Sequence, residues 1–286
     1  MRGSNFNDVL TGDGGDNILI GGGGADKLDG RAGIDAASYG RAQAGVTASL
    51  AKPSLNTGEA AGDTYSAIEN LVGSNFNDVL SGNGANNVLY GGIGADKIGG
   101  GAGIDTASYG GAQAGVTASL ATPSLNTGEA AGDTYSSIEG LWGSHLNDVL
   151  TGNASANNLS GLSGDDFLDG GLGNDTLDGG MGRDTFAFST ALAAGNFDTV
   201  FFFEVSNDKI ALSRSIFTKA GAVGALSAGA FQLGNAAKDA GDRIIYNQPT
   251  GSLWYDADGT GAKAAVQFAS VVTVGIPLSA DNFTII

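Results

Sequence analysis

Through the first 187 residues, the large apolar side chains neither alternate nor recur at helical spacing; they return once in nine positions. Leu10, Leu19 and Leu28 open the series, and their counterparts Leu80, Leu89, Leu150, Leu159, Leu168 and Leu177 continue it. Each stands in the middle of three residues that follow a glycine-rich stretch. One inward side chain per short run, after a run of turn-forming residues, predicts a turn of six residues and a strand of three in every row. Stacked rows would place the leucines in a ladder inside the coil. Between the runs, Val46-Thr47-Ala48-Ser49-Leu50 alternates as a half-buried strand does. Ser54 to Gly62 reads as a loop, and Ile68-Glu69-Asn70-Leu71 leads into the next run. After Ala187 the pattern changes. Phe186, Phe188, Phe197, Phe201, Phe202 and Phe203 crowd together, so a conventional core is expected there. Ile244-Ile245-Tyr246, a turn at Pro249-Thr250-Gly251, then Leu253-Trp254-Tyr255 predict a hairpin. Leu226 to Phe231 reads as a short helix.

The rows belong to a larger repeat. Gly3-Ser4-Asn5-Phe6-Asn7-Asp8-Val9-Leu10 returns at Gly73 to Leu80 and, as Gly143-Ser144-His145-Leu146-Asn147-Asp148-Val149-Leu150, again seventy residues on. Copies of one unit that share one conformation stack as a solenoid. Within the units, Gly21-Gly22-Gly23-Gly24-Ala25-Asp26-Lys27-Leu28-Asp29 fits Gly-Gly-x-Gly-x-Asp-x-U-x, where U is apolar. Gly91 to Gly99, Gly100 to Ser108 (with Ala107 as U), Gly170 to Asp178 and Gly179 to Ala187 fit as well. Gly161 to Asp169 fits except for Leu162 at the second place. Looser rows begin at Gly3, Gly12, Gly30, Gly73, Gly82, Gly143 and Gly152, and three of them carry Asn17, Asn87 or Asn157 where the others carry Asp.

Composition narrows what such rows do. Fifty glycines against four prolines mean disorder, collagen or a repeat, and the period of nine selects the repeat. Thirty carboxylates against thirteen basic residues give a net charge of −17. That surface repels nucleic acid and anionic lipid and attracts cations. Cysteine is absent, so disulfides and thiolate metal sites are excluded. In each row glycine brings backbone carbonyls close, and the Asp aims a hard oxygen into the turn, which is calcium chemistry. One turn cannot fill a shell of roughly six to eight oxygens, so neighbouring turns would share each ion. Catalytic signatures are missing. His145 is the only histidine and varies a structural position of the repeat, which excludes His-Glu-x-x-His zinc sites; neither Gly-x-Ser-x-Gly nor a phosphate-binding Gly-Lys-Ser/Thr loop occurs. The carboxylate pairs that a glycosidase needs are already explained by the repeat, so the chain is expected not to be an enzyme. No apolar run reaches the roughly 18 residues of a membrane helix, and Met1-Arg2-Gly3-Ser4-Asn5 lacks the apolar core of a cleaved leader.

The nonamer resembles the repeat of the RTX (repeats in toxin) family of hemolysin-type calcium-binding proteins, over residues near 3–38, 73–108 and 143–187. The resemblance implies an all-β fold, a right-handed parallel β-roll or β-helix solenoid, with several Ca²⁺ ions between its turns. Carried over by position, the implied ligand carboxylates are Asp26, Asp35, Asp96, Asp105, Asp166, Asp175 and Asp184. The implied turn glycines are Gly21, Gly22 and Gly24; Gly33; Gly91, Gly92 and Gly94; Gly100, Gly101 and Gly103; Gly164; Gly170, Gly171 and Gly173; and Gly179, Gly180 and Gly182. Asp8, Asp78 and Asp148 hold the same place in rows with fewer glycines. Asp63 and Asp133, each after a glycine, are either extra ligands or turn residues.

The expected organisation is a solenoid over 1–187, in units 3–72, 73–142 and 143–187, and a β-rich cap over 188–286. The cap resembles the C-terminal region of serralysin-type secreted proteins through Asp198-Thr199-Val200, Asn207-Asp208-Lys209-Ile210-Ala211-Leu212 and Leu253-Trp254-Tyr255-Asp256-Ala257-Asp258-Gly259. Phe202 departs from it, standing where that family has Asp before a Phe. Asp256-Ala257-Asp258-Gly259 starts like an EF-hand loop, but no Glu closes it, and a plain turn fits equally. Asp281-Asn282-Phe283-Thr284-Ile285-Ile286 is similar to the uncleaved signals read by type I exporters, and also reads as a last strand. The resemblance thus implies a secreted, extracellular bacterial protein that meets a type I secretion exporter, with a surface or matrix polysaccharide as a further partner class. Two other readings stay open: the non-catalytic C-terminal part of a larger secreted protease, lipase or alginate epimerase, and a calcium-dependent adhesin.

Overall fold

A computed structural model describes residues 1–193, 195–274 and 277–286. The chain forms two compact units, Met1–Ser144 and His145–Ile286. Among the described residues helix is confined to single 3-10 turns; the rest of the regular structure is strand.

In the first unit each row gives the expected turn and short strand. Val9–Thr11, Lys27–Asp29 and Thr64–Ser66 pair in parallel, as do Thr47–Ser49, Val79–Ser81, Lys97–Gly99 and Thr134–Ser136. Ile18–Leu19, Ala36–Ser38, Asn70–Val72, Val88–Tyr90, Thr106–Ser108 and Gly140–Trp142 make a third parallel ladder. Consecutive rows therefore feed different sheets, and two rows complete one coil of 18 residues. The middle residue of each strand points inward. Leu19, Ala37, Leu71, Leu89, Ala107 and Leu141 stack in register and are fully buried. The flanking residues face out, which leaves Val9 and Ile18 exposed.

The segments between runs are wider coils of the same stack. Thr47–Ser49 is a strand, the 3-10 turn Pro53–Leu55 opens one residue before the expected loop and the 3-10 turn Gly58–Ala60 lies inside it, and the seventy-residue copy repeats them at Pro123–Leu125 and Gly128–Ala130. Tyr39 and Tyr109 fill these coils and are almost wholly buried.

In the second unit the ladder runs past the last nonamer. Val149–Thr151, Phe167–Asp169, Thr185–Phe188, Lys209–Leu212 and Phe283–Ile285 pair in parallel, stacking Leu150, Leu168, Phe186, Ile210 and Phe283. Asn158–Ser160, Thr176–Asp178, Asp198–Glu204 and Val266–Val274 do the same opposite them. The coil interior widens here from leucine to phenylalanine, and Phe188, Phe217 and Phe268 pack edge to face at 5.0–5.1 Å between ring centres. Ile244–Asn247 and Ser252–Tyr255 form the expected hairpin. The helix expected over Leu226 to Phe231 shrinks to one 3-10 turn, Ala228–Ala230, before the strand Phe231–Leu233. Only Leu226 and Ala230 are buried there, too small an apolar face to hold a longer helix against the sheet. Phe202 has φ of 53° and is 60% exposed at a register shift between Val200 and Phe203. A bulge, not a closed turn, occupies that place.

Candidate metal centre

The turns hold their sixth-place carboxylates in one recurring geometry. Asp26, Asp35, Asp96, Asp105, Asp166, Asp175 and Asp184 are each at most 2% exposed. In every one Oδ1 accepts the backbone N–H of the sixth-place residue one coil earlier, 18 residues back, at 2.7–3.0 Å. Each of the seven then donates its own N–H to a carboxylate of the following coil. The acceptors are Asp63, Glu69, Asp133, Glu139, Asp184, Asp198 and Asp208, at 2.8–3.1 Å. Carboxylates are thus stacked directly above one another, and among the described residues none of the seven takes part in an ion pair. The ion pair found among the described residues, Arg183 with Asp165, lies on the surface.

The second oxygen of each Asp is the informative atom. Among the described residues nine buried side-chain oxygens accept no hydrogen bond, and seven are Oδ2 of these seven residues. The other two are Asn247 Oδ1 and Asp258 Oδ1. A buried carboxylate oxygen left bare costs on the order of 1–3 kcal/mol or more, so seven in equivalent places point to a missing partner. Backbone carbonyls of the next coil converge beside several of them. A Cβ on Gly161 would lie 2.1 Å from Asp166 Oδ2 and 2.6 Å from Gly179 O of the next coil. A Cβ on Gly100 would lie 2.3 Å from Asp105 Oδ2 and 2.2 Å from Ser137 O. Carbon cannot stand there. A Ca²⁺ ion, with oxygen ligands at roughly 2.3–2.6 Å, is of the kind such a cradle accepts. No three His, Cys, Asp or Glu side chains converge among the described residues, so backbone carbonyls would have to complete any shell. An all-oxygen donor set selects a hard cation over zinc or copper.

Electrostatics agree. Burial, then neighbouring carboxylates, push Asp96 and Asp166 up to about 7, and Asp184 up to about 6. Asp26, Asp105, Asp175 and Asp198 are raised as well, burial again leading. Carboxyls raised above the unfolded value stabilise the ion-free fold only while protonated. That stabilisation is complete below about pH 4 and is lost as pH rises through about 6–7. In a chelator, acidifying from about pH 8 to about pH 5 should therefore increase far-ultraviolet β signal, while with Ca²⁺ present the same step should raise the midpoint of ion binding, because protons compete. A β signal independent of pH in the chelator would contradict this.

The remaining candidates divide. Asp78 is buried, but Ser74 N and Oγ reach its Oδ2 and Val46 N its Oδ1, so both oxygens are satisfied. Asp8 Oδ2 likewise takes Ser4 N and Oγ. Asp63 and Asp133 stand in the ladder through Oδ1, while their Oδ2 accepts the Tyr39 or Tyr109 hydroxyl at 2.8 Å. Asp256 spends Oδ1 on the N–H groups of Asp258 and Gly259, closing a local turn. Glu69, Glu139, Asp198 and Asp208 are not among the ligand positions that the repeat gives. Their distances of 34, 34, 23 and 24 residues from their partners break the 18-residue coil that marks the others.

Residues 2–36, 72–107 and 151–186 match the family model of the RTX calcium-binding nonapeptide repeat (4 copies). No curated protein matches the chain. Among solved structures, similarity is found to the AlgE6R3 subunit of the Azotobacter vinelandii mannuronan C5-epimerase, at 29% identity and a TM-score of 0.34, over 51% of this chain and 76% of that one. It is also found to the extracellular lipase LipA of Serratia marcescens, at 18% identity and a TM-score of 0.22, over 76% of this chain. The chain spans 39% of the lipase. These repeats bind Ca²⁺, and several of them imply several ions.

Proposed function

We propose that this chain, whose rows are RTX calcium-binding nonapeptide repeats, is a non-catalytic secreted protein that Ca²⁺ folds after a type I exporter has passed it out of the cell. The observation that carries the reading is the set of seven bare, buried Oδ2 atoms. Asp26, Asp35, Asp96, Asp105, Asp166, Asp175 and Asp184 would each give that oxygen to an ion, with glycine-turn carbonyls of two coils beside it. Ca²⁺ would supply the positive charge that the stacked carboxylates lack.

Where Ca²⁺ is scarce, the ion-free coil carries ionised carboxylates in a buried stack and orders a glycine-rich chain, both unfavourable. The repeats then stay unfolded and threadable. Where Ca²⁺ is millimolar, binding free energy becomes folding free energy. The far end of the chain supports the order of events. Phe283 and Ile285 are 1% exposed in the folded strand Phe283–Ile285, so an exporter can read that segment only before folding. The solenoid over 1–187 is the calcium-dependent part, and 188–286 the cap and export signal. Counting bound Ca²⁺ on the purified chain tests the site assignment. Seven ions per chain are expected, one for each bare oxygen; a chain that retains none after dialysis against millimolar Ca²⁺ would refute it.

A further inference from the structure

The rows fall into two conformations, and the second residue of the row sorts them. In the seven rows with a bare Oδ2 that residue has positive φ. Gly22, Gly92, Gly101, Gly171 and Gly180 lie at 88–109°. Arg31 at 69° and Leu162 at 73° adopt the same left-handed form although they are not glycine.

The looser rows behave otherwise. In the rows starting at Gly3, Gly12, Gly73, Gly82 and Gly152 the second residue is Ser4, Asp13, Ser74, Asn83 or Asn153, and none has positive φ. Each sends its backbone N–H to the sixth-place side chain. Ser4 and Ser74 reach Oδ2 of Asp8 and Asp78 at 2.6 Å, and the other three reach Oδ1 of Asn17, Asn87 and Asn157 at 2.7–2.8 Å. The same residue's side chain then accepts the N–H of the fourth place at 2.8–3.2 Å: Phe6 and Phe76 on serine Oγ, Gly15, Ala85 and Ser155 on Oδ1. These are Asx and Ser turns closed from within. A donor occupies the oxygen that is bare in the other rows.

We infer that the second residue of each row is a positioning residue that decides whether its turn takes an ion. A short hydrogen-bonding residue closes the turn with its own N–H and side chain. A residue held at positive φ leaves the sixth-place oxygen uncapped for Ca²⁺. Because a coil is two rows, the coil 3–20 is self-closed throughout and 21–38 ion-closed throughout; 73–90 and 91–108 repeat that order. Each seventy-residue unit thus stacks a coil that needs no cation against one that does. This rests on the calcium reading above.

Leu162 provides the test, because glycine and serine there separate conformation from packing. Bound Ca²⁺ is counted on the full chain after equilibrium dialysis, for the wild type, Leu162→Gly, Leu162→Ser and the double variant Ser74→Gly/Phe76→Gly, which completes the glycine pattern of its row. Leu162→Gly is expected to keep the wild-type number and bind more tightly, and Leu162→Ser to bind one ion fewer. The double variant is expected to bind one ion more. Equal counts for the two Leu162 variants, whether both at the wild-type number or both reduced, would overturn the inference, as would a folded double variant with no gained ion. A wild-type chain without Ca²⁺ would overturn the calcium reading itself and the inference with it, whereas failure in the variants alone leaves that reading standing.

Discussion

Asparagine in place of both Asp166 and Asp184 should raise the Ca²⁺ concentration at the folding midpoint by roughly tenfold or more per site, about 1.4 kcal/mol each. The two residues follow one another in a single ladder, Asp148 to Asp166 to Asp184 to Asp208. Asparagine preserves the shape and keeps an Oδ1 to accept the N–H of the preceding coil. What it removes is the charged oxygen that lies bare in both residues. A donor NH₂ then stands where the cation is expected. In a chelator the sign reverses. Burial, and after it neighbouring carboxylates (Asp148 and Asp184 beside Asp166, Asp208 beside Asp184), raise the proton affinity of both residues, so neutral side chains relieve the ion-free coil at neutral pH. The variant should then be as β-rich as the wild type or more so without Ca²⁺, yet need more Ca²⁺ to complete folding. Titrations of both proteins followed by circular dichroism read the two effects. A midpoint unchanged from wild type would mean these carboxylates do not meet the ion.

Leu168→Ala should destabilise the Ca²⁺-loaded chain by about 2–5 kcal/mol. Leu168 is fully buried and stacks between Leu150 and Phe186 in register. A solenoid coil buries one inward residue per row, so no second side chain on the same strand can close the gap. Neighbouring coils are fixed by their parallel hydrogen bonds and cannot collapse into it either. The proposed ion ligands Asp166 and Asp175 are not altered, so the number of ions at saturation should stay that of the wild type while the midpoint for urea unfolding falls. Chemical denaturation in excess Ca²⁺, beside an ion count, separates this from a loss of binding. A denaturation midpoint equal to wild type would show that the leucine ladder does not hold the coils together.

Much of the molecule is legible in the sequence because its two signals, leucine every ninth residue and Asp two places before it, are set within one row. The inward ladder, the three-residue strands and the seven equivalent carboxylates follow from that local period alone. What the sequence conceals is non-local. Glu69 and Glu139 enter the carboxylate stack only because the wide coils at 39–66 and 109–136 return the chain to register, and nothing in Ile68-Glu69-Asn70 announces it. Asp198 and Asp208 are masked in the same way by the longer loops before them. The self-closed rows are concealed for another reason. Asp8 and Asp78 match the ligand position by spacing, but Ser4 and Ser74 cap them, and only backbone direction reveals that. The short helix expected after Leu226 fails because apolar spacing over six residues does not distinguish a helix from a 3-10 turn leading into a strand.

A calcium titration of the full chain by far-ultraviolet circular dichroism, reversed with a chelator, tests most directly whether Ca²⁺ folds the solenoid. A cooperative gain of β structure between micromolar and millimolar Ca²⁺, lost again on chelation, is the result expected. A spectrum already β-rich in the chelator at neutral pH and unmoved by Ca²⁺ would contradict it, and would mean that the glycine turns close without metal.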